Sequence, residues 1–126
     1  MSIKLFRVIL PVTRLEPAVA FYAQVLGFAG KQVSSGRHYF DCGGTILACF
    51  SPREDGDDFD LPANPDHVYF AVNDLEACFV RCQRAPCKRL DDRIKTMPWG
   101  ERSFYLEDPF GNKLCFVDEH TVFTGT

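Results

Sequence analysis

Residues 67–82, HVYFAVNDLEACFVRC, lie on residues 7–22, RVILPVTRLEPAVAFY, at a constant offset of 60. Val8 meets Val68, Val12 meets Val72, Leu15 meets Leu75, Glu16 meets Glu76 and Ala18 meets Cys78. A strand end, a helix start and a buried helix face therefore recur together. One copy of such a unit is too small to enclose a stable core, so the two copies must share one. With 126 residues in all, this repeat predicts a single domain over 1–126 made of two like modules.

Each copy reads the same way. Ile3 to Val12 is rich in β-branched and apolar residues and predicts a strand, with Pro11 limiting its pairing near the end. Thr13 followed three residues later by Glu16 matches a capping box. Leu15, Ala18, Val19, Tyr22, Val25 and Leu26 then keep helical spacing up to the stop at Gly27. Phe28–Ser34, Arg37–Asp41 and Thr45–Phe50 are short strand candidates divided by the turn formers Ser35-Gly36 and Gly43-Gly44. In the second copy Asn73 is the expected helix cap, with Glu76 again three residues on. Phe40–Gly44 matches Glu107–Gly111 less closely, at an offset of 67. The fold class that follows is α+β, built from two βαβββ modules. Module one spans 1–50 and module two 66–118. Between them lies a connector over 51–65, SPREDGDDFDLPANP, which has no hydrophobic period and whose acids are expected to be solvated. Asp55, Asp57, Asp58 and Asp60 lack the spacing of a calcium loop.

Charge and composition exclude several function classes. A net charge of −3 argues against nucleic acid, which needs clustered Lys and Arg. No apolar run approaches the roughly 18 residues of a membrane span, and the run in MSIKLFRVILPV is too short for a secretory signal. A cytoplasmic location without membrane contact is the expectation. The six cysteines are then read as thiols rather than disulfides. Cys78, Cys82 and Cys87 have no nearby His to complete a zinc site. No Ser-His-Asp order, phosphate-binding loop or dinucleotide glycine motif occurs.

Val12–Gly27 (VTRLEPAVAFYAQVLG), Phe70–Glu76 (FAVNDLE) and above all Pro98–Phe116 (PWGERSFYLEDPFGNKLCF) resemble the glyoxalase/bleomycin-resistance/dioxygenase, or vicinal-oxygen-chelate, superfamily. The DPxGN turn at Asp108–Asn112 carries much of that resemblance. Trp99-Gly100 followed by Arg102 and Phe104 is most similar to the bleomycin-resistance branch. The resemblance covers nearly the whole chain and implies an open, cupped mixed β-sheet and a homodimer, often with exchanged modules.

In the metal-using members, ligands come from the first and last strands of each module, and here the sequence departs from them. Arg7 stands where the first strand usually carries His, and a permanently protonated guanidinium cannot ligate a cation. Ala48 and Cys115 stand where the last strands usually carry Glu, and only His67 keeps its counterpart. The expectation is therefore a metal-independent protein without a cofactor. Its cup would hold a small aromatic or anionic ligand, as resistance-type relatives sequester a drug. The alternative is a metal-dependent lyase or dioxygenase with a reduced Zn, Ni, Mn or Fe site at His67 and Cys115, so enzymatic activity stays open. Arg7 faces either a ligand's acid or an internal carboxylate such as Glu107. His67 is read as a polar cup residue within reach of Tyr39 or Glu107, and Cys115 as a small buried hydrophobe with a possible ligand contact. Trp99 offers a flat stacking surface. Phe104 and Tyr105 must point to opposite faces, and the sequence leaves open which of them joins Tyr39 in the cup.

Overall fold

The computed structural model describes all 126 residues. Module one consists of β1 (Arg7–Pro11), α1 (Leu15–Leu26), β2 (Lys31–Ser34), β3 (Arg37–Cys42) and β4 (Thr45–Phe50). Module two consists of β5 (Val68–Val72), α2 (Leu75–Gln83), the two-residue strands β6 (Arg89–Leu90) and β7 (Lys95–Thr96), and then β8 (Arg102–Glu107) and β9 (Lys113–Asp118). Each module folds into its own sheet. The order is β1-β4-β3-β2 in one and β5-β9-β8-β6 in the other, with β7 also on β8. β1 runs parallel to β4 and β5 parallel to β9, so the repeat seen in sequence is a repeat of topology. The first strand is shorter than Ile3–Val12, because residues 1–6 continue it without pairing as a strand.

The registers refine the internal alignment. Val8 pairs with Leu47 and Val68 with Leu114, which keeps the offsets of 60 and 67. Phe40 pairs with Leu47 and Leu106 with Leu114, which sets β3 against β8 at 66. The DPxGN turn is thus one residue longer than its counterpart in module one.

Two caps differ from the sequence reading. Neither Thr13 nor Asn73 caps a helix. Arg14 occupies the N-cap of α1 and supplies no side-chain bond; instead the Leu15 N–H donates to the Glu54 carboxylate. Asp74 caps α2, its carboxylate accepting the Ala77 N–H at 3.1 Å. Glu54 therefore has a structural role, as does Asp55, whereas Asp57, Asp58 and Asp60 are exposed as the sequence suggested. Asp55 accepts the Gly36 N–H at 2.7 Å and the Ser34 hydroxyl at 3.1 Å, clasping the β2–β3 turn. Gly36 is required there, since a Cβ would stand 2.3 Å from the Ser51 carbonyl oxygen.

The two helices touch each other, and one apolar cluster draws Leu10, Phe21, Val25, Phe40 and Leu47 from module one and Leu75, Cys82, Phe104, Leu114 and Phe116 from module two. Helices and helix-facing strand residues from both copies thus make a shared core, as the repeat requires. A polar knot locks it. Tyr22 Oη donates to Asp108 at 2.6 Å, and Asn112 Nδ2 donates to the Pro11 carbonyl at 2.7 Å and to Asp108 at 2.8 Å. Asn64 donates from its backbone to Asn112 at 2.8 Å and from its side chain to the Ile9 carbonyl at 2.9 Å. Tyr22, Asp108 and Asn112 are fully buried, and no buried side-chain polar atom is left without a partner.

Removing a member of a buried network strands the others. Asn112→Ala should destabilise the fold by about 2–4 kcal/mol, and Tyr22→Phe, which leaves Asp108 its other donors, by about 1–2 kcal/mol. Urea denaturation checks both, and equal, negligible costs would contradict the knot.

Candidate functional site

Alternation along each strand sends one set of side chains into the core and the other outward. On module one the outward rows follow from register: Arg7–Ile46–Asp41 and Ile9–Ala48–Tyr39. On module two the row Tyr69–Cys115–Tyr105 occupies the place of Ile9–Ala48–Tyr39, with Lys113 and Glu107 paired one step away and His67 just before β5. The two outward faces thus share a plan. Each sets a tyrosine from its third or fourth strand beside a small residue, Ala48 or Cys115, at the centre of the sheet.

On module two three rings gather. His67 lies edge-on to Tyr105 with centroids 4.9 Å apart, and Tyr69 completes the group at 6.2 Å from His67 and 6.3 Å from Tyr105. Tyr69 is 59% exposed, so it offers its ring to solvent or a ligand. Beneath them Cys115 is fully buried. Burial pushes its thiol up to about 11, against the pull of hydrogen bonds with Ser103 and Tyr105. Burial and the Tyr69 hydroxyl also raise the Tyr105 phenol. Beside this group a polar recess of about 330 Å³ is lined by His67, Arg89, Tyr105, Leu106, Glu107 and Lys113. His67 forms no hydrogen bond with Tyr39 or Glu107; it makes ring contacts instead.

Arg7 is exposed on the other sheet. Its guanidinium sits 4.7 Å from the Phe6 ring and 5.2 Å from the Tyr39 ring. It takes part in no ion pair, so Glu107 is not its partner.

Two residues from the sequence reading are placed elsewhere. Phe104 points into the core, fully buried against Phe79 and Phe116, because it is Tyr105 that shares the outward parity of Cys115. Trp99 is 48% exposed and lines neither cavity. Its indole N–H donates to Glu101 at 2.7 Å, and the same carboxylate accepts the Phe123 N–H at 2.9 Å, so the loop is tied to the C-terminal segment. Sequence reasoning passed over Lys113 and Arg89. Lys113 could have been found, since it lies two residues before Cys115 and so on the same face.

A larger, mainly apolar groove of about 710 Å³ opens on the core side between the edges of β1 and β5, lined in part by Val8, Val25, Val68, Phe70 and Val72. Nowhere do three His, Cys, Asp or Glu side chains converge as metal ligands would. The residues present do not fit a divalent ion bound within one chain.

A family model described as the Glyoxalase/Bleomycin resistance protein/Dioxygenase superfamily matches residues 4–116. The chain is 27% identical over 117 residues to the uncharacterized protein YwbC of Bacillus subtilis (strain 168), covering 83% of this chain and 89% of that protein. Among solved structures it is similar to a glyoxalase/bleomycin resistance protein from Albidiferax ferrireducens T118, with a TM-score of 0.74 and 21% identity over 90% of this chain and 97% of that one. It is also similar to a glyoxalase-related enzyme from Fulvimarina pelagi, with a TM-score of 0.74 and 17% identity over 91% and 87% of the two chains. At these identities the structural likeness is one of fold.

The Cys115 thiol gives a pH signature. An ordinary thiol ionises near 9, so between about 9 and about 11 the unfolded chain has lost a proton that the folded chain still holds. That contribution to stability is complete below pH 9 and is lost as pH rises through 11. The melting temperature should fall over this window, and less steeply in Cys115→Ala; identical slopes would rule out Cys115 as a source.

Proposed function

Because the chain belongs to the Glyoxalase/Bleomycin resistance protein/Dioxygenase superfamily, we propose that it is a metal-independent small-molecule-binding protein. Its ligand has an aromatic body and an acid group, and is held in a cup completed by a second copy of the chain. The observation that carries this reading is Arg7: a guanidinium on an outward face, stacked on Tyr39, without a carboxylate partner. It stands where metal-using relatives place a cationic centre, and it brings positive charge without a metal. The exposed ring of Tyr69, with His67 and Tyr105, supplies flat surface for the aromatic part.

The architecture supports the second copy. Within one chain the helices lie between the two sheets and the outward faces do not meet, so one face alone is half a cup. The accessible surface is 7376 Å², against roughly 6,800 Å² for a typical monomer of this mass. A two-fold partner would cover part of that surplus.

Light scattering should report about 28 kDa, twice the chain mass of 14.3 kDa. Protein purified without chelator should carry well under one equivalent of Zn, Ni, Mn or Fe. Stoichiometric metal with thermal stabilisation would instead support a lyase or dioxygenase centred on His67 and Cys115.

A panel of aromatic carboxylates, among them indole-3-acetate and salicylate, tests the acid contact. A charge-assisted pair contributes about 1.5–3 kcal/mol, so Arg7→Met should weaken acid binding roughly tenfold to a hundredfold and leave neutral analogues nearly untouched. Arg7→Lys should recover only part of the loss, since a point charge does not reproduce the planar fork. Unchanged affinity for every acid that binds would remove Arg7 from the site.

A further inference from the structure

At one end of the outward face of module two, the chain carries two opposite charges that it does not use itself. Lys113 on β9 stands directly across from Glu107 on β8, and Arg89 on β6 stands across from Glu107 on its other side. Arg89 is engaged: its guanidinium binds Asp91 at 2.9 Å, and the same nearly buried carboxylate accepts the Tyr105 N–H at 2.9 Å. Glu107 and Lys113 enter no ion pair, with each other or with any other group. The recess of about 330 Å³ opens at these two side chains, with His67 and Tyr105 beside them. Its size lies at the lower end of the roughly 300–1,000 Å³ of small-molecule sites.

Both residues are half-buried, so each charge has given up part of its water and gains from a counter-charge that enters the recess. One wall is negative and the other positive. A simple anion that meets Lys113 is repelled by Glu107, and a simple cation that meets Glu107 is repelled by Lys113. A group that carries both signs a few bonds apart satisfies the two walls together. The ring row Tyr69–Cys115–Tyr105 runs two residues further along the same strands, roughly 7 Å away. Module one has no such neighbouring pair. There Ile46 separates Arg7 from Asp41, and the Asp41 carboxylate already accepts the Gly44 N–H at 2.7 Å.

We propose that the recess binds the zwitterionic head of an aromatic α-amino acid. Glu107 accepts the ammonium group, Lys113 donates to the carboxylate, and the side-chain ring lies on Tyr69 and Tyr105 in the next row. A single methylene joins head to ring in such a molecule, which suits two adjacent rows of one face. The tyrosine rings also attract the ammonium group through their faces. The inference rests on the reading above for the aromatic body and names the class of that ligand. A carboxylate held by Lys113 keeps lone pairs for Arg7 of a second copy, so the two contacts are compatible.

Titration calorimetry at neutral pH with three indoles tests it: L-tryptophan, indole-3-propionate, which lacks the ammonium group, and tryptamine, which lacks the carboxylate. Wild-type protein should bind L-tryptophan about tenfold or more tighter than either analogue, a comparison that needs no variant. Glu107→Gln should weaken L-tryptophan about tenfold and leave indole-3-propionate unchanged or tighter. Lys113→Met should weaken both acids and spare tryptamine. Melting curves of the two variants should match wild type, since neither side chain belongs to the core. Equal wild-type affinities for the three indoles overturn the zwitterion site, as does a Glu107→Gln variant that weakens L-tryptophan and indole-3-propionate alike. If indole-3-propionate binds through Arg7 and L-tryptophan binds no better, this inference falls and the aromatic-acid reading stands. If L-tryptophan, L-tyrosine and L-phenylalanine all fail to bind at millimolar concentration, the zwitterion site is overturned, and the panel of aromatic carboxylates judges the other reading separately.

Discussion

The hydrogen-bonded knot of Tyr22, Asp108 and Asn112 is the constraint on which the rest of the molecule depends. It joins the first helix of module one to the last hairpin of module two across 86 residues of chain. The same Asn112 reaches the end of β1, and Asn64 ties the end of the connector to both. All of these groups lie in the apolar core or at its edge, where an unmade bond is expensive and a made one is strong. The knot fixes how one module lies against the other. By fixing that, it sets which faces of the two sheets look outward and which strand edges stay open.

The outward faces follow from this. Helices packed between the sheets take one parity of every strand for the core. The other parity collects Arg7 and Tyr39 on one sheet, and Tyr69, Tyr105, Cys115, Glu107 and Lys113 on the other. Duplication placed equivalent positions on both faces, and the two copies then diverged in chemistry. One face offers a bare cation and a tyrosine; the other offers a ring cluster, a protonated thiol and a recess of mixed charge. On neither face do three His, Cys, Asp or Glu side chains converge. The proposed recognition by stacking and charge would draw on both faces.

The sequence by itself determined the repeat, the α+β class, the two βαβββ modules and the shared core, because hydrophobic period and turn residues are local properties that survive duplication. It also determined the equivalence of Arg7 with His67 and of Ala48 with Cys115, which the strand registers reproduce. Tertiary structure decided what local patterns do not encode. Thr13 and Asn73 look like caps, yet Glu54 arrives from the connector to serve α1, and Asp74 serves α2. The parity of Phe104 and Tyr105 was open until β8 was set against β9, and the place of Trp99 was open until Glu101 tied its loop to the C-terminal segment. Arg7 could have met Glu107 had the sheets faced one another; the helices between them keep the two apart. In each case the deciding contact spans modules or strands distant in sequence, and its energy depends on where the shared core places them.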